Sequence, residues 1–198
     1  DRKRTAAIAR HTNAFKVNED VVIPLPRMGE YTEGIERLNI ELSLRNKIEL
    51  ADALCAFFAR GRLPLGKGDD AGEIPSAELL EDRVQQALAL LAEVRALWSG
   101  WLAGLDVAQA DQDGASLFAL LQDARLRASW KTQVLKPLQQ LFAGAAFVPL
   151  LEECRRIHKE VLRGRVWVAL HMHAGDGNVH TNIPVNSDNY EMLRQANE

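Results

Sequence analysis

Cysteine is nearly absent from this 198-residue chain: Cys55 and Cys154 are the two that occur. Standing alone in helical patterns, they form no cysteine cluster for an iron–sulfur centre and read as free, partly buried thiols in a reducing compartment, with a disulfide between them the less favoured alternative. No apolar run approaches the length of a membrane span, and no signal peptide is in view. Lys and Arg total 24 against 27 Asp and Glu, a net charge of −3, and the arginines are scattered along amphipathic patterns. That balance removes any electrostatic argument for nucleic acid. There is also no internal repeat and no low-complexity tract. What is present, 47% hydrophobic and 26% charged residues, is enough to bury one or two modest cores.

Three of the five histidines fall within one short stretch, Val166 to Val185. Residues Val166 to His173 alternate with period two, placing Val166, Val168, Leu170 and Met172 on one face and Trp167, Ala169, His171 and His173 on the other. Ala174-Gly-Asp-Gly-Asn178 supplies the glycines of a tight reversal, and Val179 to Val185 alternates again, so that His180 and Asn182 share a face. A hairpin closing around residues 174 to 179 is expected to make His173 and His180 cross-strand neighbours within reach of one cation. Two imidazoles leave a metal site incomplete, and no Glu, Asp or Cys nearby has an obvious ligand spacing. Asp176 reads as a turn former in preference to a group orienting a histidine. His171 shares the strand face of His173 and reads as structural.

His173-Ala-Gly-Asp-Gly-Asn-Val-His180-Thr-Asn182 resembles the His-x-Gly-Asp-Gly-Asn-x-His-x-Asn signature in the C-terminal substrate (cap) domain of FAD-linked oxidases. That group contains D-lactate dehydrogenases, D-2-hydroxyglutarate dehydrogenases and the glycolate oxidase flavin subunit. The segment from Arg4 through Lys16 to Leu25 is similar to the family's first strand, where Lys-x-Asp runs into a hydrophobic strand ending in Pro. Its wording is most similar to the very long bacterial members fused to an iron–sulfur segment.

The resemblance implies His173 and His180 as ligands of a divalent metal, commonly zinc, with Asp176 and Asn178 in the turn that spaces them. It implies Asn182, Lys16 and Thr5 as substrate contacts, although Lys16-Val-Asn-Glu-Asp20 is two residues longer than the Lys-x-Asp form. The family's Glu-His pair, third metal ligand and catalytic base, has no counterpart before Glu198, and the first residue is Asp1. The expectation is therefore a piece of a longer cytoplasmic flavoenzyme, inactive by itself, with no catalytic residue of its own. FAD would be held by a domain outside this chain, and an iron–sulfur cluster elsewhere in the parent. The implied partners are a small 2-hydroxy acid and the other domains of the parent, with membrane or quinone association left open.

Along the chain, Asn18 to Leu25 is expected as a strand, with Pro24 and Pro26 marking its exit. Met28 to Arg60 repeats apolar residues at helical intervals until Gly61, and Arg62 to Pro75 is the clearest loop. Ser76 reads as the N-cap of a helix that Gly104 breaks. Further helical patterns span Ala115 to Arg127, Ser129 to Phe142 with Pro137 limiting it, and Phe147 to Arg163. Trp98, Trp101 and Trp130 keep the helical apolar spacing and read as core. The expected fold is α+β: a partial ferredoxin-like antiparallel cap domain from residues 1–60 and 164–198, interrupted by a linker and α-helical insert over 61–163. The leading functional expectation is the substrate- and metal-binding part of an FAD-dependent D-2-hydroxyacid dehydrogenase. Two others are carried beside it. One is a non-catalytic helical interaction module. The other is a stand-alone metal carrier, with His171, Asp176 and Glu19 as the visible candidates for a third ligand.

Overall fold

The structure is a computed structural model that describes residues 14–66, 76–173, 177–186 and 189–197, the backbone alone at 14–16. It is α+β: a three-stranded antiparallel sheet accompanies helices that hold most of the described chain. The strands are β1 (Ala14–Val22), β2 (Ala169–His173) and β3 (Asn178–Asn186), and the helices are α1 (Met28–Ala59), α2 (Ala77–Ala103), α3 (Leu117–Gln122), α4 (Lys136–Leu141), α5 (Val148–Arg163) and α6 (Tyr190–Asn197). The chain divides into two compact units, one formed by residues 1–43 and 164–198 and the other by residues 44–163.

In the first unit the strand order is β1-β3-β2, with β3 antiparallel to both neighbours. One sheet face is apolar: Val17 pairs with Ile183, and both pack with Val185, Val166, Leu42 of α1 and Met192, Leu193 and Ala196 of α6. Polar contacts pin α1 to the same unit. The Tyr31 hydroxyl meets that of Thr181 at 2.9 Å, and the Asn39 amide both donates to the Val168 carbonyl (2.8 Å) and accepts from the Val168 N–H (2.7 Å).

That amide explains why β2 starts at Ala169 and not at Val166, as the alternation suggests: Asn39 takes the place of a strand neighbour at Val168. β1 is likewise displaced from the expected Asn18 to Leu25. It begins by Ala14 and ends at Val22, because Pro24 leads into a 3-10 turn over Leu25–Arg27. Pro184 is tolerated in the central strand because β2 pairs no further than Asn182, so β3 is itself an edge there.

The second unit is helical around one core in which Leu54, Leu91, Trp98, Val134, Leu138, Phe142, Leu150 and Cys154 have no solvent exposure. Trp98 is buried within this core, and Trp101 and Trp130, partly buried, pack against it, in keeping with their spacing. Ser76 caps α2 by accepting from the Leu79 N–H at 3.3 Å, and Gly104 ends the helix. The pattern over Ser129 to Phe142 resolves into a π-helical stretch, Trp130–Leu135, followed by α4, with Pro137 in its first turn. The wider π turn loosens the backbone where a proline would otherwise press on the preceding turn. Burial pushes the Cys154 thiol up to about 12, and both cysteines are free.

Candidate functional site: a histidine face on the small sheet

The polar face of the sheet follows directly from register. Asn18 lies opposite Asn182 and Asp20 opposite His180 on the β1 side, while His171 lies opposite His180 and His173 opposite Asn178 on the β2 side. Since directly paired residues share a face, Asn18, Asp20, His171, His173, Asn178, His180 and Asn182 all project from the side away from the apolar packing.

This register corrects the expected pairing of the two motif histidines. The turn is tighter than the sequence suggests, so His173 meets Asn178, and the direct partner of His180 is His171. His173 and His180 are diagonal neighbours, with ring centres 5.7 Å apart and planes at 86°. His171, expected to be structural, is exposed and completes the group, its ring centre 5.2 Å from that of His173 and 5.9 Å from that of His180.

Asp20 is the residue that sequence reasoning missed. Its Oδ1 accepts from His180 Nδ1 at 2.5 Å, and Asn18 Nδ2 makes a long contact to the same oxygen at 3.5 Å. Glu19, one of the candidate third ligands, pairs with Thr181 and therefore projects from the opposite face. A period-two pattern shows that Asp20 and Glu19 differ in side, but only the strand pairing shows which of them meets the histidines.

Asn182 is half-buried on the histidine face, with Nδ2 3.4 Å from the His180 carbonyl. Asn178 is exposed beside His173. Lys16 occupies the register position opposite Pro184, two residues along β1 from Asn18. Thr5 and Asp176 lie outside the described residues.

The hairpin is held at its turn by Gly177, which adopts φ +69° and whose carbonyl accepts from the Ile23 N–H at 2.9 Å. A Cβ at this position would lie 2.5 Å from the Ile23 carbonyl oxygen, so glycine is required both by conformation and by space. Close by in sequence, Ile23, Pro24, Arg27, Glu30 and Tyr31 line an open cleft. Its one cationic group, Arg27, is already bound to Glu30 through contacts of 3.0 and 3.1 Å.

The donor set suits a divalent transition metal, for which neutral imidazole is a common ligand. With metal–nitrogen bonds of about 2 Å, two imidazoles on one tetrahedral ion have ring centres about 5 Å apart, close to the 5.2 to 5.9 Å seen here. The rings are not turned to one point, however. Those of His171 and His180 are inclined by 24°, close to parallel, and among the described residues no group of three or more His, Cys, Asp or Glu side chains is arranged to hold an ion as it stands. The three imidazoles are thus gathered on one face at comparable spacings without forming a metal-ligand geometry among the described residues.

No protein-family model, curated protein or solved structure matches this chain.

Proposed function

We propose that this chain is the substrate- and metal-binding part of an FAD-dependent D-2-hydroxyacid dehydrogenase of the D-lactate type. The observation that carries the proposal is the gathering of His171, His173 and His180 with Asp20 and Asn182 on one open sheet face, in and around the Gly-Asp-Gly-Asn signature. The strand order adds support. β3 lies antiparallel between β1 and β2, which are joined through α1 and the helical unit, and this is the split β-α-β arrangement from which a ferredoxin-like cap is built.

On this reading His173 and His180 hold the ion, and the exposed His171 is the nearest further imidazole. When bound, the ion would supply Lewis acidity toward an α-hydroxy carboxylate and the flavin a hydride acceptor. Asn182 offers an amide to the substrate from the same face, and by the resemblance Lys16 and Thr5 would contribute charge and a hydroxyl to its carboxylate. The sheet fixes the spacing of the histidines and Asn182 through register, which is the kind of preorganisation a substrate site needs.

The test is made on the gene product carrying this chain, purified with its flavin and mixed anaerobically with D- and L-lactate and D- and L-2-hydroxyglutarate. Bleaching of the flavin by a D-acid, lost in His180→Ala with the flavin still bound, is the expected result. A flavin indifferent to every hydroxy acid, or bleaching unchanged in His180→Ala, would reject it and leave a helical interaction module as the better account.

A further inference from the structure

We infer that Asp20 is a positioning residue for His180, holding the imidazole in the Nδ1–H tautomer so that Nε2 is the electron-pair donor it presents. A carboxylate can only accept hydrogen bonds, so the 2.5 Å contact between Asp20 Oδ1 and His180 Nδ1 requires the proton on Nδ1. In the neutral ring the other nitrogen then carries the free lone pair.

Two features distinguish this contact from an incidental surface ion pair. Most such pairs are brought together by long side chains with many alternatives, and contribute little. Asp20 and His180 are instead short side chains on directly opposed residues of β1 and β3, so the sheet sets their distance. Asn18, next along the same face, makes a long contact of 3.5 Å to the same oxygen. The oriented ring belongs to the cluster with His171 and His173, where an unambiguous donor nitrogen matters: a ligating histidine normally has its second nitrogen tied to a carboxylate or carbonyl, which fixes its orientation and raises its basicity. The metal part of this argument rests on the proposed function; the tautomer part does not.

Two measurements on the 198-residue chain separate them. Long-range proton–nitrogen NMR at about pH 8.5, where ordinary imidazoles are neutral, reports the tautomer of each ring, with His180→Gln assigning the signal. The expected result is Nδ1–H at His180 in the wild type, shifting toward Nε2–H in Asp20→Ala. Asp20→Asn, whose amide oxygen still accepts, should retain Nδ1–H. Zinc affinity, measured by competition with a chromophoric chelator, should fall about 10- to 100-fold in Asp20→Ala and much less in Asp20→Asn.

Nε2–H in the wild type overturns the inference, and so does a tautomer unmoved by Asp20→Ala. If Asp20→Ala fails to fold, the wild-type and Asp20→Asn spectra still decide it. A wild-type chain that binds no zinc counts against the metal reading alone, because the tautomer result continues to judge Asp20.

Discussion

At the scale of single residues, the same side chain type does different work according to what it touches. His158 lies in the helical unit, its ring stacked on Trp130 with centres 4.6 Å apart and planes at 7°. Burial, with the Lys47 ammonium adding to it, holds its pKa below the ordinary histidine value. Between the depressed and the ordinary pKa, the unfolded chain therefore binds more protons than the folded one. The resulting stabilisation is complete above the ordinary histidine pKa and is lost as pH falls through it to the folded value. Urea midpoints followed from neutral to acidic pH should fall less steeply in His158→Gln than in the wild type, and identical slopes would refute this. Gly177 is the second case. Alanine there would combine a left-handed backbone with a Cβ 2.5 Å from the Ile23 carbonyl oxygen, and should cost about 1–3 kcal/mol. Amide exchange at Ile23 should accelerate in Gly177→Ala, because that N–H donates to the Gly177 carbonyl.

At the scale of elements, long helices were legible and their interruptions were not. The apolar repeats and end signals place α1, α2 and α5 within a residue or two of their observed ends. The Ser76 cap is legible because its role is local, and Ser76→Ala should lower stability by about 1 kcal/mol, read as a shift of the urea midpoint at constant slope. The pattern over Ala115 to Arg127 yields only Leu117–Gln122, because Ala124 turns to φ +62° and the Asp123 carboxylate captures the Arg125 N–H at 3.3 Å and its Nε at 2.9 Å. That local hydrogen bonding competes with helix continuation, and composition alone does not say which prevails. Strand ends were displaced for a related reason. Asn39 replaces a ladder neighbour at Val168, and it does so from a distance of 129 residues in sequence.

At the scale of the molecule, sequence-distant segments decide stability. In the helical unit Phe142 stacks on Phe58 with centres 5.5 Å apart and meets Phe147 at 5.3 Å, joining α1 to the segments around α4 and α5 without any solvent exposure. Phe142→Ala should cost about 3–5 kcal/mol, measurable by chemical denaturation, and a loss below 1 kcal/mol would show that the site collapses around the void. Among the described residues no helix is long and apolar enough to cross a membrane, as the lack of extended apolar runs suggests. The sequence by itself determined the α+β character, the principal helices, the helical core with its tryptophans and the concentration of histidines beside a glycine turn, since each follows from local periodicity and turn chemistry. Only the tertiary structure decided that His180 faces Asp20 and His171, that His173 sits diagonally, and that Glu19 is turned away. A shift of one residue in strand pairing exchanges the two faces of a strand, and no local pattern encodes which distant strand will lie alongside.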